Sequence, residues 1–124
     1  MPSPAATVVL VAHGSRVAEA NDSHRRLAAD LAARTGGTVI AAFLELADPD
    51  IPAALDAAAA TAAPSVLVLP HFLLPGRHTT ADIPAQVEAA RDRHPGTTFV
   101  QLDHLGADPA VLELLAAQVA AAGR

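Results

Sequence analysis

The six histidines are unevenly placed along the 124 residues of this chain. Four of them, His13, His71, His78 and His104, stand where apolar runs end, in the company of the carboxylates Glu45 and Asp103. The stretches are His13-Gly14-Ser15-Arg16, Phe43-Leu44-Glu45, Pro70-His71 through to Arg77-His78, and Asp103-His104. Two neutral imidazoles and one carboxylate form a donor set for a divalent first-row metal such as Fe²⁺, Co²⁺ or Ni²⁺, and leave coordination positions open. Imidazole also titrates near neutral pH, so the same residues can move a proton. Each residue has an ordinary reading too. His13 and His104 also read as loop histidines bonded to backbone, His71 as a packing residue before Phe72-Leu73-Leu74, and Glu45 as a solvated carboxylate. His24 falls on a helical stripe and His94 near a helix end, where an imidazolium suits the dipole, so both read as structural.

Other chemistries lack their parts. No G-x-G-x-x-G follows the first apolar run and no G-x-x-x-x-G-K-[ST] occurs, which removes the usual phosphate cradles. No G-x-S-x-G elbow is present, and Ser15 two residues from His13 does not make a triad. A small hydrolase or phosphatase using His13 as base would want an arginine directly before it, where this chain has Ala12. The absence of cysteine removes thiolate metal sites, disulfides and thiol nucleophiles.

The elements that must carry these residues follow from the apolar pattern. Four runs of strand length recur: Thr7 to Ala12, Thr38 to Leu44, Ser65 to Leu69 and Thr97 to Leu102. They are continuous rather than alternating, as in parallel strands covered on both faces. Helical periodicity fills the gaps. Residues 17 to 35 put Val17, Ala20, His24, Leu27 and Leu31 on one face and stop at Gly36-Gly37. Residues 50 to 62 align Ile51, Ala54, Leu55 and Ala58, and residues 80 to 94 align Ile83, Val87 and Ala90. A last helix opens at Asp108-Pro109, an N-cap followed by a first-turn proline, and is expected to bury Leu112, Leu115 and Val119. The order βαβαβαβα predicts an α/β fold, a four-stranded parallel sheet with helices on both faces and ligands beyond the carboxyl ends of the strands.

Composition bounds the rest. The length fits one domain over residues 1 to 124, and 52% apolar residues suffice for a core. A net charge of −5, with eight arginines and no lysine, leaves no basic face for nucleic acid. No apolar run approaches the roughly 20 residues of a membrane span, and the chain reads as cytoplasmic.

The His-Gly-Ser-Arg strand end (13 to 16) with Asn21, the "AFLE" strand end (42 to 45) followed by Pro49 and Ile51, "LPHFLLPGRHTTADIP" (69 to 84) and "LDHLGADP" (102 to 109) together resemble the class II tetrapyrrole chelatases, and within them the short sirohydrochlorin chelatases. The likeness runs from residue 7 to about 115. It implies that His13 and His78 are the paired, catalytic histidines that bind the incoming metal, with Glu45 as the carboxylate contact, and it assigns no role to His71 or His104. The substrates it implies are sirohydrochlorin and a divalent metal (Co²⁺, Fe²⁺ or Ni²⁺), without an organic cofactor. A carrier of metal or tetrapyrrole that does not catalyse insertion is the alternative. Ser15, Arg16 and Arg77 flank the histidines, and guanidinium forks there suit a carboxylate-rimmed macrocycle. Four strands span only about 14 to 15 Å, a shallow wall for such a substrate, and the resemblance implies a homodimer with substrate at its interface.

Overall fold

The computed structural model describes residues 6–123, apart from the side chain of His78. Four strands, β1 (Thr7–Ala12), β2 (Val39–Phe43), β3 (Ser65–Pro70) and β4 (Thr98–Gln101), alternate with four helices, α1 (Ala18–Thr35), α2 (Ile51–Ala60), α3 (Ile83–Arg93) and α4 (Pro109–Ala122). All strand pairs are parallel, in the order β2-β1-β3-β4. Every carboxyl end therefore lies on one edge of the sheet. The chain leaves β1 toward β2 on one side and leaves β3 toward β4 on the other, so the ends of β1 and β3 flank the point where a doubly wound sheet opens a crevice.

The pleat sends alternate side chains to opposite faces. Val9 and Val11 of β1, Val66 and Val68 of β3 and Phe99 of β4 pack with Ile51, Ala54, Leu55 and Ala58 of α2 and Ile83, Val87 and Ala90 of α3. Both helical stripes expected from the sequence are the buried ones. Removing a side chain such as Leu55 or Ile83 from water contributes about 1.5–3 kcal/mol each, which makes this the stronger half of the core. At the far end of the pair, the Asp56 carboxylate accepts from Arg93 Nε at 3.0 Å and His94 Nε2 at 2.7 Å, tying α2 to the end of α3. His94 is thus a structural residue, as its position implied.

The opposite face is only half covered. Helix α1 packs over β1 and β2 and buries Asn21, His24 and Ala28, while Val17 and Leu27 are exposed, which corrects the face expected from the sequence. Leu27 and Leu31 instead wall an open groove whose floor is Leu10 of β1 and Leu69 of β3. The expectation for α4 fails more completely. Asp108 does cap the helix, accepting from the Ala110 N–H at 2.8 Å, but Leu112, Leu115 and Val119 are 67%, 53% and 73% exposed and no residue of α4 is buried. The reason lies in the 3₁₀ turn Leu105–Ala107. There Gly106 donates to Phe72 O at 3.0 Å, and a Cβ on it would fall 1.7 Å from Leu73 O, so the turn is pinned to the loop after β3 and directs α4 off the sheet.

Candidate functional site

The site begins where the ladder between β1 and β2 runs past its last strand residue. Leu44 N–H donates to Ala12 O at 3.0 Å and Glu45 N–H to His13 O at 3.1 Å, so the backbone sets His13 and Glu45 side by side. Gly14 then turns the chain with φ +95°, a conformation that side-chain-bearing residues rarely adopt. A Cβ at this position would sit 1.8 Å from Glu45 O. Only glycine lets the loop lie this close to the end of β2.

The loop is then clamped from within α1. The buried Asn21 side chain accepts from Ser15 N–H at 2.9 Å and donates to Ser15 O at 2.7 Å, while Ser15 Oγ accepts from Val17 N–H at 3.0 Å. Beyond Glu45, Arg25 lies over the Phe43 ring at 5.0 Å and donates to Asp48 O at 2.9 Å, holding the other loop. Both flanks of the His13–Glu45 pair are fixed by side chains of one helix.

His13 Nε2 stands 3.7 Å from Glu45 Oε1, with both side chains about half exposed. The other ring nitrogen, Nδ1, donates to Gly14 O at 3.2 Å. A carbonyl can only accept, so this contact places a proton on Nδ1, and in the neutral ring leaves Nε2 as the lone-pair nitrogen, the arrangement that metal-binding histidines use. Two donors each about 2.1 Å from one ion at a tetrahedral angle lie about 3.4 Å apart. The observed pair is within a few tenths of an ångström of that spacing.

Glu45 also borders a cavity of about 360 Å³ lined by Leu44, Asp82, Ala85 and Gln86. Asp82 closes a single π-helical turn, His78–Asp82, that runs straight into α3. Gln86 Oε1 is buried with no hydrogen-bond partner among the described residues, and such an atom costs about 1–3 kcal/mol when left unpaired. Asp82 and Gln86 were not singled out from the sequence as site residues. The spacing of four from His78 to Asp82 and again to Gln86, the repeat of one helical face, was the available signal.

The backbone of His78 starts that turn, but its side chain lies outside the described residues. No three of His, Asp and Glu among the described residues stand close enough to hold a metal ion. Arg16 and Arg77 are exposed near the loop ends. His71 and His104 belong elsewhere: with Asp103 they line the groove on the α1 side, not the cavity beside Glu45. His13 and Glu45 therefore do not share one cluster with His71, Asp103 and His104. The His71 ring stacks on that of His24 at 5.8 Å, and His24 Nε2 donates to Leu10 O at 2.9 Å against the Phe43 ring. Burial, above all, lowers the pKa of His24, with the nearby His71 and Arg25 adding to the shift against the opposing backbone bonds. His24 is a neutral core histidine.

A family model, CbiX, matches residues 7–122. The chain belongs to the CbiX family. Among its relatives, the sirohydrochlorin cobaltochelatase of Priestia megaterium is 30% identical over 94% of this chain and 38% of its own length. The chloroplastic sirohydrochlorin ferrochelatase of Arabidopsis thaliana is 31% identical over 87% of this chain and 48% of its own length. The crystal structure of the sirohydrochlorin chelatase SirB from Bacillus subtilis subspecies spizizenii in complex with cobalt superposes with a TM-score of 0.80 at 26% identity, covering 91% of this chain and 49% of that one. The chain thus spans less than half the length of these relatives. The parallel α/β sheet is the one expected of a CbiX chain.

Proposed function

We propose that the chain is a sirohydrochlorin chelatase that inserts Co²⁺ or Fe²⁺, with Ni²⁺ as a further option, into sirohydrochlorin. The observation that carries this reading is His13 Nε2, set 3.7 Å from Glu45 Oε1 at the open edge of the sheet while Nδ1 bonds the backbone. Its support from likeness is that the relatives are named for this reaction with cobalt and with iron. The metal is a substrate here, and so is the macrocycle; the reading includes no organic cofactor.

Insertion replaces two pyrrole N–H protons by one metal ion. The protein must hold the ion loosely enough to release it, and must accept protons as the nitrogens take it. A half-exposed imidazole–carboxylate pair suits the first task, because open positions remain for the macrocycle nitrogens. His78, on the turn leading into α3, is the second histidine of the proposed set, and an imidazole is the general base proposed to take a pyrrole proton. Asp82 and Gln86 border the same cavity as Glu45, where their side-chain oxygens can accept hydrogen bonds from the ion's waters. Ser15 shapes the His13 loop, and Arg16 and Arg77, close to the two histidines in sequence and exposed, are the guanidinium groups proposed for the carboxylates on the macrocycle rim.

One sheet edge offers a wall and not a cleft. Because the named relatives are more than twice as long or nearly so, two copies of this chain would supply a comparable enclosure, and we read the active form as a homodimer with substrate at the interface. The chain is taken as one domain acting in the cytoplasm; among the described residues no helix is long and apolar enough to cross a membrane.

The test is an absorbance assay of sirohydrochlorin with Co²⁺, Fe²⁺ and Ni²⁺ in turn. Wild type should accelerate insertion with at least one ion, and His13→Ala should lose about 10²–10⁴-fold, the usual contribution of a positioned acid–base group. Tight binding of macrocycle or metal without acceleration would establish the carrier instead. Full activity in His13→Ala would remove the site assignment.

A further inference from the structure

Among the described residues, two that are not glycine hold their backbone in the left-handed region, Leu46 at φ +67° and Ala62 at φ +60°. Ala62 has an ordinary account. It follows Thr61, the C-cap of α2, at the position where helices commonly stop on a left-handed residue, and its side chain is a single methyl. Leu46 ends no helix. A bulky side chain makes this conformation unfavourable, and a glycine or asparagine would make the same turn with less strain. Packing does not offset the strain either, because Leu46 is 53% exposed.

The loop around Leu46 is fixed on both sides. Before it, Glu45 N–H is bonded to His13 O. After it, Asp48 O accepts from Arg25 at 2.9 Å, Pro49 O accepts from Phe43 N–H at 3.0 Å, and the Asp50 carboxylate caps α2 by accepting from Ala53 N–H at 2.9 Å. A strained leucine is thus held in solvent directly after the carboxylate that faces His13 Nε2. Backbone outliers that the surrounding structure over-determines in this way cluster where ligands are held.

We propose that Leu46 is a substrate-contacting residue whose side chain lies against one face of the tetrapyrrole and sets the height and tilt of the ring over the ion at His13 and Glu45. The occupant follows from the chemistry of the transfer. Four ring nitrogens must meet one ion together, so the ring approaches face-on. The residue next to Glu45, with its Cα only about 3.8 Å away, then comes under that face. The face of the macrocycle is apolar and its rim carries carboxylates, so an aliphatic side chain suits the face as the exposed Arg16 and Arg77 suit the rim. Val17, 61% exposed at the end of the His13 loop with its N–H bonded to Ser15 Oγ, offers a second apolar contact on the other flank of the pair. Burying the half of the Leu46 side chain that stands in water tightens macrocycle binding about 3- to 10-fold.

The Leu46 contact rests on the chelatase reading and is tested apart from it. Metal-free sirohydrochlorin is titrated into the chain with binding followed by absorbance, and insertion rates are measured against macrocycle and against metal ion separately. Leu46→Asn should raise the macrocycle Kd and KM about 10-fold, because it removes the apolar contact and leaves an amide to be desolvated. The KM for the metal ion should stay at the wild-type value, and the melting temperature should be no lower than wild type, since asparagine accepts the left-handed backbone. A residue with only a structural role would lose stability and binding together. Leu46→Met, apolar and of similar size, should bind as wild type does. Wild-type macrocycle affinity in Leu46→Asn would overturn the contact and leave the chelatase reading standing. A raised KM for the metal ion with an unchanged macrocycle Kd would overturn it as well, and would make Leu46 a support for Glu45. A change of mass in light scattering on Leu46→Asn substitution would overturn it in favour of a contact between copies. A wild type that neither binds sirohydrochlorin nor accelerates insertion would overturn the contact together with the reading beneath it.

Discussion

Gly14→Ala tests whether the backbone, more than any side chain, builds the site. The substitution adds one methyl group at a residue whose φ is +95° and whose ideal Cβ lies 1.8 Å from Glu45 O. Ordinary contact needs more than about 3 Å, so the His13 loop and the end of β2 must part by more than about 1 Å, and the left-handed backbone adds strain of about 1–3 kcal/mol. The oxygen to be displaced belongs to the residue whose N–H bonds His13 O, so parting them widens the His13–Glu45 pair beyond its 3.7 Å. A misplacement of about 1 Å costs on the order of 10²-fold in rate. We expect a variant that is folded at low temperature, melts several degrees below wild type, and inserts metal about 10²-fold more slowly at a temperature where both are fully folded. The assay pairs thermal denaturation by circular dichroism with the sirohydrochlorin absorbance assay. Wild-type rate together with wild-type melting would refute the argument, because the loop could then accept a side chain without moving Glu45.

Asn21→Ala removes both bonds from the side chain to Ser15; we expect a loss of about 1–3 kcal/mol in chemical denaturation and a 10–100-fold fall in activity typical of groups that orient a ligand, whereas Asn21→Asp should keep the acceptor half and lose less. His24 sets a pH dependence of stability: its folded pKa lies below the ordinary histidine value of 6.5 because the ring is buried, so the unfolded chain takes up the proton first and stability falls as the pH drops below about 6.5. Denaturation midpoints measured between neutral and mildly acidic pH should show this fall, and it should be reduced in His24→Gln; an equal slope in that variant would assign the proton to another group.

The sequence made the half of the core under α2 and α3 legible because strands and helices there bury what their spacing says they bury. Ile51, Ala54, Leu55, Ile83 and Val87 carry a period that only one face can satisfy, and the sheet supplies that face. The other half was misread for a physical reason. A stripe such as Leu112, Leu115 and Val119 states that a helix has apolar surface; it does not state which surface covers it. That depends on the direction in which the chain leaves β4, which Gly106 fixes through a contact with Leu73 that no local pattern encodes. Leu27 and Leu31 share the error, since they wall an open groove and are not packed under another element.

The site divided along the same line between local and distant causes. His13 and Glu45 could be found because each ends a strand, and parallel neighbours in register bring strand ends together. Asp82 and Gln86 enter the cavity only because a π-helical turn precedes α3 and feeds its first residues toward the end of β2. His71 follows β3 as directly as His13 follows β1, yet it turns to the α1 side and stacks on His24. Position at a strand end therefore brings a histidine to the edge of the sheet, and the following backbone decides which side of that edge it serves. After β1 the following backbone is a glycine in the left-handed region whose carbonyl also sets the imidazole tautomer. The residue that makes His13 a candidate metal ligand is accordingly Gly14, which has no side chain with which to bind anything.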